Sequence, residues 1–343
     1  MFLAGDIGGT TCRLAWFERG PARLRLIAMT DYRSKNYASL DEVITIFLAE
    51  HPITDVVESA AFGVAGPVED GRVQATNLPW VVDKAVLSSH LNTANVGLIN
   101  DLVANANGTC WLTNNDYFVL NPGVSQPGSN KALISAGTGL GEAGLIFVDG
   151  HLEAVASEGG HCSFAPAQEI EIELYRFLQQ QFGHVSWERV VSGAGLMNIY
   201  EFLCQRESQT KSADMLARIP ELADLEPSAM ISQAAILGLD PTAEQALDLF
   251  VRFYGAEAGN LALKFLATGA VYVGGGIAPK ILPKLQEGGF FDSFISKGRF
   301  SKLLEKIPVF VILNDRTALL GAALVAARQA GCHPEAPPVM EIN

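Results

Sequence analysis

Positive charge is scarce in this chain. Lys and Arg number 24 against 37 Asp and Glu, for a formal net charge of −13. A protein that reads a phosphate backbone needs a basic face, so this balance argues against a nucleic-acid partner. A nucleotide stays open as a ligand, because backbone N–H groups and a metal ion can meet phosphate without lysines. Paired cysteines are also missing. Cys12, Cys110, Cys162, Cys204 and Cys332 are scattered, odd in number and form no CxxC, which reads as free thiols in a reducing compartment. Nor is there a long hydrophobic run. Ala318 to Ala327 falls well short of the roughly 18 residues a membrane span needs. Met1 to Asp6 shows neither a basic n-region nor a long h-region. The expectation is a cytoplasmic protein with no membrane partner.

What is present points to a folded α/β chain. Hydrophobic residues make up 49% and charged residues 18% of 343 residues, enough for about two domains with sizeable cores. Met1 to Phe17 reads as strand, glycine turn, strand, with a third strand over Leu24 to Tyr32. Leu40, Val43, Ile44, Phe47 and Leu48 share one face of a helix over Leu40 to Glu50. Strands at Glu58 to Val64 and Asn95 to Asn100 alternate with helices at Asp83 to Leu91 and from Asp101. The second half opens on the strand "KALISAGTG" and a hairpin, then helices near Ile170 to Gln181 and Trp187 to Cys204. Glu207 to Glu244, punctuated by Pro220, Pro227 and Pro241, reads as an irregular helical insert before a long helix from Gln245 to Leu266. The strand "GAVYVGGGIAP", a helix opened by Pro279, the strand "VFVIL" and a helix from Arg316 to Ala330 complete the pattern. "LAGDIGGTTCRLAWF" and "ISAGTGLGEAGLIFV" share one layout, so a duplicated fold with a cleft between the copies is expected.

Three glycine clusters carry the chemistry. In Gly5 to Thr11, glycines allow close backbone approach, threonines add hydroxyls, and Asp6 suits a Mg²⁺ ion beside phosphate. A plain glycine hairpin would look the same. The second cluster is Gly137-Thr138-Gly139. There, Gly139, Gly141 and Gly144 match the GxGxxG dinucleotide fingerprint, but they run into the strand-like "LIFVDG" rather than a helix, so that reading fails. The third is Gly274-Gly275-Gly276, which could approach a flat base or simply turn from strand to helix. Among polar candidates, Asp101 could accept a proton from a hydroxyl, or simply cap a helix. Glu158-Gly-Gly-His161 packs a carboxylate and an imidazole into one tight turn. Glu188, behind Ser186, could equally be an acid favoured by a helix dipole. One His without a cysteine cluster gives too few ligands for a zinc site.

These residues together, in "GDIGGTTCRLA", "GPVEDG", "TNLPW", "LINDLVA", "AGTGLGEA", "EGGHCSFAP", "GHVSWERVVSGAGL", "VRFYGAEAGNLAL", "VYVGGGIAP" and "KGRF", resemble bacterial glucokinases of the hexokinase and actin-like ATPase superfamily. The resemblance runs from Gly5 to about Gly321. It implies two ribonuclease-H-like α/β lobes with an interdomain cleft: a small one over 1–111 plus 314–331, and a large one over 112–313 with the insert at about 207–244, followed by a tail at 332–343. It implies ATP on Gly5, Asp6, Ile7, Gly8, Gly9 and Thr10, on Gly137, Thr138 and Gly139, and on Gly274, Gly275 and Gly276. It implies Mg²⁺ on Asp6 through water, and glucose on Asn77, Asn100, Asp101, Glu158, His161 and Glu188, with Asp101 as base for the 6-hydroxyl. A homodimer is implied as well. Thr11 departs from the asparagine common in that family, and the zinc cysteines of the related repressor/ORF/kinase branch are absent after His161. Three alternatives remain: a kinase for mannose, fructose or an N-acetylhexosamine, a non-catalytic sugar-sensing regulator, and a chaperone-type ATPase. The −13 charge and the Phe2 strand start speak against the second, and the EGGH turn against the third.

Overall fold

The computed structural model describes residues 1–76, 78–206, 216 and 219–334. The chain divides into two compact units. Unit 1 comprises Met1–Asp116, Glu153–Ala156 and Asn314–Asn343, and unit 2 comprises Tyr117–Leu152 and Ser157–Leu313.

Unit 1 is built on a sheet of β1 (Phe2–Ile7), β2 (Thr11–Arg19), β3 (Leu24–Arg33), β4 (Ser59–Val64) and β8 (Val96–Asn100), in the order β3-β2-β1-β4-β8. β2 runs antiparallel to both β1 and β3, and β1-β4-β8 are parallel. Alternation along β1 sends Phe2 and Ala4 to one face and Leu3 and Ile7 to the other. Leu40, Val43, Ile44 and Phe47 of α1 (Leu40–Glu50) pack with Leu3, Leu14, Trp16 and Phe62. Ser39 caps α1 by accepting from the Glu42 N–H, and Glu42 reaches back to the Ala38 N–H, so the helix starts where the periodicity begins. The opposite face takes Leu319, Ala322, Ala323 and Ala326 of the helix Thr317–Gln329. That helix also packs closely on α3 (Asp101–Thr109), which follows the short α2 (Lys84–His90). A side chain at Gly108 would overlap the Thr317 carbonyl, and one at Gly321 the Ala104 carbonyl. Two helices meeting backbone to backbone leave α3 little room to shift.

Between β4 and α2 the chain forms a small antiparallel sheet: β5 (Val68–Glu69), β6 (Arg72–Gln74) and β7 (Val81–Asp83). Its hairpin turns on Asp70 and Gly71, both with positive φ, as a tight two-residue turn requires. These strands are too short to show a period in the sequence.

Unit 2 repeats the plan. A six-stranded sheet, β12 (His151–Ser157), β11 (Leu140–Val148), β10 (Lys131–Ala136), β13 (Ala270–Gly274), β14 (Val309–Ile312) and β9 (Tyr117–Asn121), runs in that order and belongs to unit 2 except for Glu153–Ala156. β10 is antiparallel to β11 and parallel to β13, which is parallel to β14, so the strand sequence of unit 1 recurs. The recurrence matches the duplication that the internal echo implies, and both sheets follow the ribonuclease-H-like order that the family resemblance implies. The extra strand β9, antiparallel on β14, was not foreseen.

The helices of unit 2 depart from expectation at their starts. The helix expected over Trp187 to Cys204 is a 3₁₀ turn at Trp187–Arg189 followed by α5 (Gly193–Arg206), after α4 (Glu169–Phe182). The Ser192 hydroxyl donates to the Glu188 carbonyl and accepts from the Gly195 N–H, which closes one turn and starts the next element. Pro227 and Pro241, read as breaks, occupy the first positions of α6 (Pro227–Ile236) and α7 (Pro241–Phe265). Proline's missing N–H costs nothing there, and Asp240 caps α7 by accepting from Thr242 and Ala243. Pro279 opens a 3₁₀ turn, Ala278–Ile281, that runs directly into a short α-helix, Leu282–Gln286. Residues 207–215, 217 and 218 of the expected insert lie outside the described residues. Among the described residues no helix is long and apolar enough to cross a membrane.

Candidate functional site

In unit 1 the β1–β2 hairpin turns through Gly8 to Thr11, closed by the Gly8 N–H on the Thr11 carbonyl at 2.9 Å. Buried Ser34 clamps the loop from outside: its hydroxyl donates to the Gly8 carbonyl at 2.7 Å and its N–H to the Thr10 carbonyl at 3.0 Å. Nothing in the sequence marked Ser34. The loop lines a cavity of about 330 Å³ together with Asp6, Arg13 and Asp315. Arg13 grips Asp31 with two hydrogen bonds, at 2.6 and 2.8 Å, and reaches the Asp315 carbonyl and carboxylate at 2.8 and 3.1 Å. Gly5 is glycine for a packing reason, since a side chain there would overlap the ring of Phe62.

Asp6 sits at the end of β1 on the cavity wall. Burial pushes its carboxyl up to about 7, and Asp101, Asp31 and Asp315 push the same way against Arg13. Four carboxylates therefore face one guanidinium, a surplus of negative charge that a cation would relieve. Among the described residues no three His, Cys, Asp or Glu side chains gather to hold a metal by themselves. Mg²⁺ does not need such a cage. It keeps several waters and takes one or two carboxylates plus substrate phosphates, and a single desolvated Asp6 fits that habit.

Asn100 and Asp101 stand at the junction of β8 and α3. The cap of α3 is Asn100, not Asp101: its Oδ1 accepts from Leu102 and Val103 at 2.8 and 3.3 Å. Its Nδ2 donates to the Gly66 carbonyl at 3.2 Å, tying the loop before β5 to this helix end. Asp101 is the first helical residue, and its Oδ1 accepts from the Leu102 N–H at 3.0 Å. Negative charge is favoured at a helix N-terminus. Asn77 lies outside the described residues.

Unit 2 brings Glu188 against the second glycine cluster. The Leu140 N–H donates to Glu188 Oε2 at 3.0 Å, and a Cβ at Gly139 would lie 2.5 Å from that oxygen. The carboxylate is held by loop backbone rather than by a helix dipole, because its own turn is an isolated 3₁₀ turn. Buried Trp187, edge-on to Phe164 at 5.0 Å, fixes that turn. The EGGH turn is also 3₁₀, over Gly159–His161, with the His161 N–H on the Glu158 carbonyl at 3.0 Å.

Tyr254 of α7 joins the second and third glycine clusters from beneath. Its buried hydroxyl accepts from the Ala136 N–H at 3.1 Å and donates to the Gly274 carbonyl at 2.8 Å. Sequence reasoning missed it, although a buried tyrosine usually finds a partner for its hydroxyl. Gly275 has φ +82° and turns the chain over the Ala136 carbonyl. Gly137 and Gly276 meet nothing within 4 Å of an added Cβ, so no protein contact demands glycine there. That open space leaves room for a ligand.

A family model described as glucokinase matches residues 3–329. A glucokinase of Nostoc punctiforme is 41% identical over 339 residues, covering 96% of this chain and 99% of that one. The crystal structure of a glucokinase from an Antarctic psychrotroph superposes with a TM-score of 0.84 at 29% identity, covering 95% of this chain and 98% of the other. A ROK family glucokinase from Streptomyces griseus, solved with glucose and AMPPNP, shares the fold at a TM-score of 0.65 and 22% identity, over 95% and 99% of the two chains.

Proposed function

Because the chain belongs to the glucokinase family, we propose that it transfers the γ-phosphoryl group of ATP to the 6-hydroxyl of D-glucose, giving glucose 6-phosphate and ADP. The match across residues 3–329 is the observation that carries this reading.

Roles follow from the chemistry of the transfer. The transition state is loose, so positioning and charge neutralisation matter more than covalent help. The Gly8–Thr11 loop, Gly137 and Gly276 expose backbone to the nucleotide, and Tyr254 holds the latter two clusters in register. Asp6 is the carboxylate that would hold Mg²⁺, and the ion would supply neutralisation of phosphate charge. Asp101 accepts a hydrogen bond from the 6-hydroxyl, orients it, and takes its proton as the new bond forms. Asn100, Glu158, His161 and Glu188 serve the remaining hydroxyls. Glu188, anchored on the Leu140 N–H, keeps one oxygen for the sugar. By resemblance to the family, the enzyme works as a cytoplasmic homodimer.

The regiochemistry tests this assignment. Phosphorus NMR of the product should show the phosphate on the primary 6-carbon, and 6-deoxyglucose should compete without being turned over. Phosphate on the anomeric carbon, or turnover of 6-deoxyglucose, would contradict the role given to Asp101.

A further inference from the structure

The EGGH turn rests on a buried acid for which the proposed reaction has no use. Glu142 follows the second glycine cluster on β11 and is 1% exposed. Neither of its carboxyl oxygens has a hydrogen-bond donor among the described residues. Its Oε2 fills the space where a side chain at Gly159 would stand, so the turn sits directly on this carboxyl. The Gly159 N–H does not serve it, being given to Ser157 Oγ at 2.9 Å.

The other neighbour of Glu142 is also an acid. Glu257 of α7 is fully buried and lies close enough to Glu142 for the two carboxyls to interact. Its Oε1 accepts from Lys264 Nζ and its Oε2 from Asn260 Nδ2, both at 2.7 Å. Lys297 stands behind, donating to Asn260 Oδ1 at 2.7 Å, and Cys162 faces Lys264. The charged groups around Glu142 are therefore Glu257 and Lys264, with Lys297 and Cys162 one step further. Lys264 balances one carboxylate and not two. Two carboxylates side by side in a dry interior cannot both ionise. Burial first, then Glu257, push Glu142 up to about 8.

We propose that Glu142 keeps its proton at neutral pH and shares it with Glu257, and that this neutral pair is the positioning element for the Glu158–His161 turn. Loss of the proton places a second negative charge beside Glu257, under backbone that offers it no donor. The carboxyls then separate, Gly159 is displaced, and sugar binding weakens. The inference rests on the sugar-binding role proposed for that turn.

The test compares wild type with Glu142→Gln, which keeps the shape and a donor for Glu257 but cannot ionise. Two readouts are taken from pH 6 to 9.5: the glucose KM with Mg·ATP, and the Tm of the substrate-free protein. Wild-type KM should rise ~10-fold above pH 7 with kcat changing less than about twofold, while E142Q stays within about twofold throughout. A carboxyl raised in the native state stabilises below its unfolded pKa and loses that contribution as pH rises through the native one. Wild-type Tm should therefore fall relative to E142Q between pH 6 and 9. Equal Tm slopes in the two proteins would overturn the shared proton, and equal KM slopes the positioning role. If E142Q fails to fold, Glu257→Gln decides: the KM rise should move to lower pH, because the repelling charge is gone and Lys264 favours ionised Glu142. An unmoved transition overturns the pair. Folded wild type with no sugar-dependent turnover at pH 7 would overturn the kinase reading and the positioning role with it, and the Tm comparison would still decide the proton.

Discussion

A carboxyl displaced from 3.8 to about 7 is half protonated where most aspartates are fully charged. At Asp6 the native state holds a proton that the unfolded chain has already released, so its ionisation costs stability as pH rises through that window. Asp6→Asn removes the cost. Residual solvent contact discounts the ~4 kcal/mol that the full displacement would carry, so substrate-free D6N should be more stable at pH 8 by about 2 kcal/mol. The gain should vanish near pH 4, as thermal melts would show, while Mg·ATP turnover is lost. Equal melts at pH 8 would contradict the desolvated state of Asp6. Asp101→Ala should lower kcat by about 10³-fold or more and disturb glucose binding far less, measured by turnover and by calorimetric titration with glucose. At this scale the sequence offers the candidates readily, because Asp, Glu and His beside glycines announce themselves. The supporting residues were not. Ser34 and Tyr254 act through single hydrogen bonds to loop backbone from distant chain positions, and no local spacing encodes that. The role of Asn100 as helix cap was hidden by its acidic neighbour.

Elements form where their ends are chemically marked. α1 begins at its Ser39 cap and coincides with its periodicity, and both glycine hairpins appear where the internal echo places them. Pro227 and Pro241 open helices, since proline opens helices as well as breaking them; at Pro241 the Asp240 cap marks the opening, and at Pro227 no side-chain cap does. β5 to β7 and β9 escaped because two to five residues carry no usable period, and their pairing is fixed by distant strands. At this scale the central device is α7, which carries Tyr254 under two glycine loops at once. Tyr254→Phe leaves the Ala136 N–H and the Gly274 carbonyl short of a buried partner, costing about 1–3 kcal/mol. The ATP KM should rise ~5–20-fold with the glucose KM changed less than about twofold, by steady-state kinetics. Equal rises in both would show general loosening instead of a nucleotide-side role.

The molecule as a whole is an acidic protein proposed to take an anionic substrate. A net charge of −13 repels free ATP over distances longer than any single contact. Raising the salt from about 10 to about 150 mM shortens the screening length from ~30 to ~8 Å. The ATP KM should therefore fall about twofold with Mg²⁺ held constant, while the KM for uncharged glucose stays flat. A rising ATP KM would mean that local cations dominate, against the backbone-and-metal account. Composition made the charge legible, and the duplicated plan made the fold class legible. The central claim is tested most directly by ADP release with Mg·ATP against glucose, mannose, fructose, N-acetylglucosamine and no sugar. The account predicts strong glucose-dependent release over a low sugar-free background. Folded, nucleotide-binding protein that releases no more ADP with glucose than without it would contradict the account.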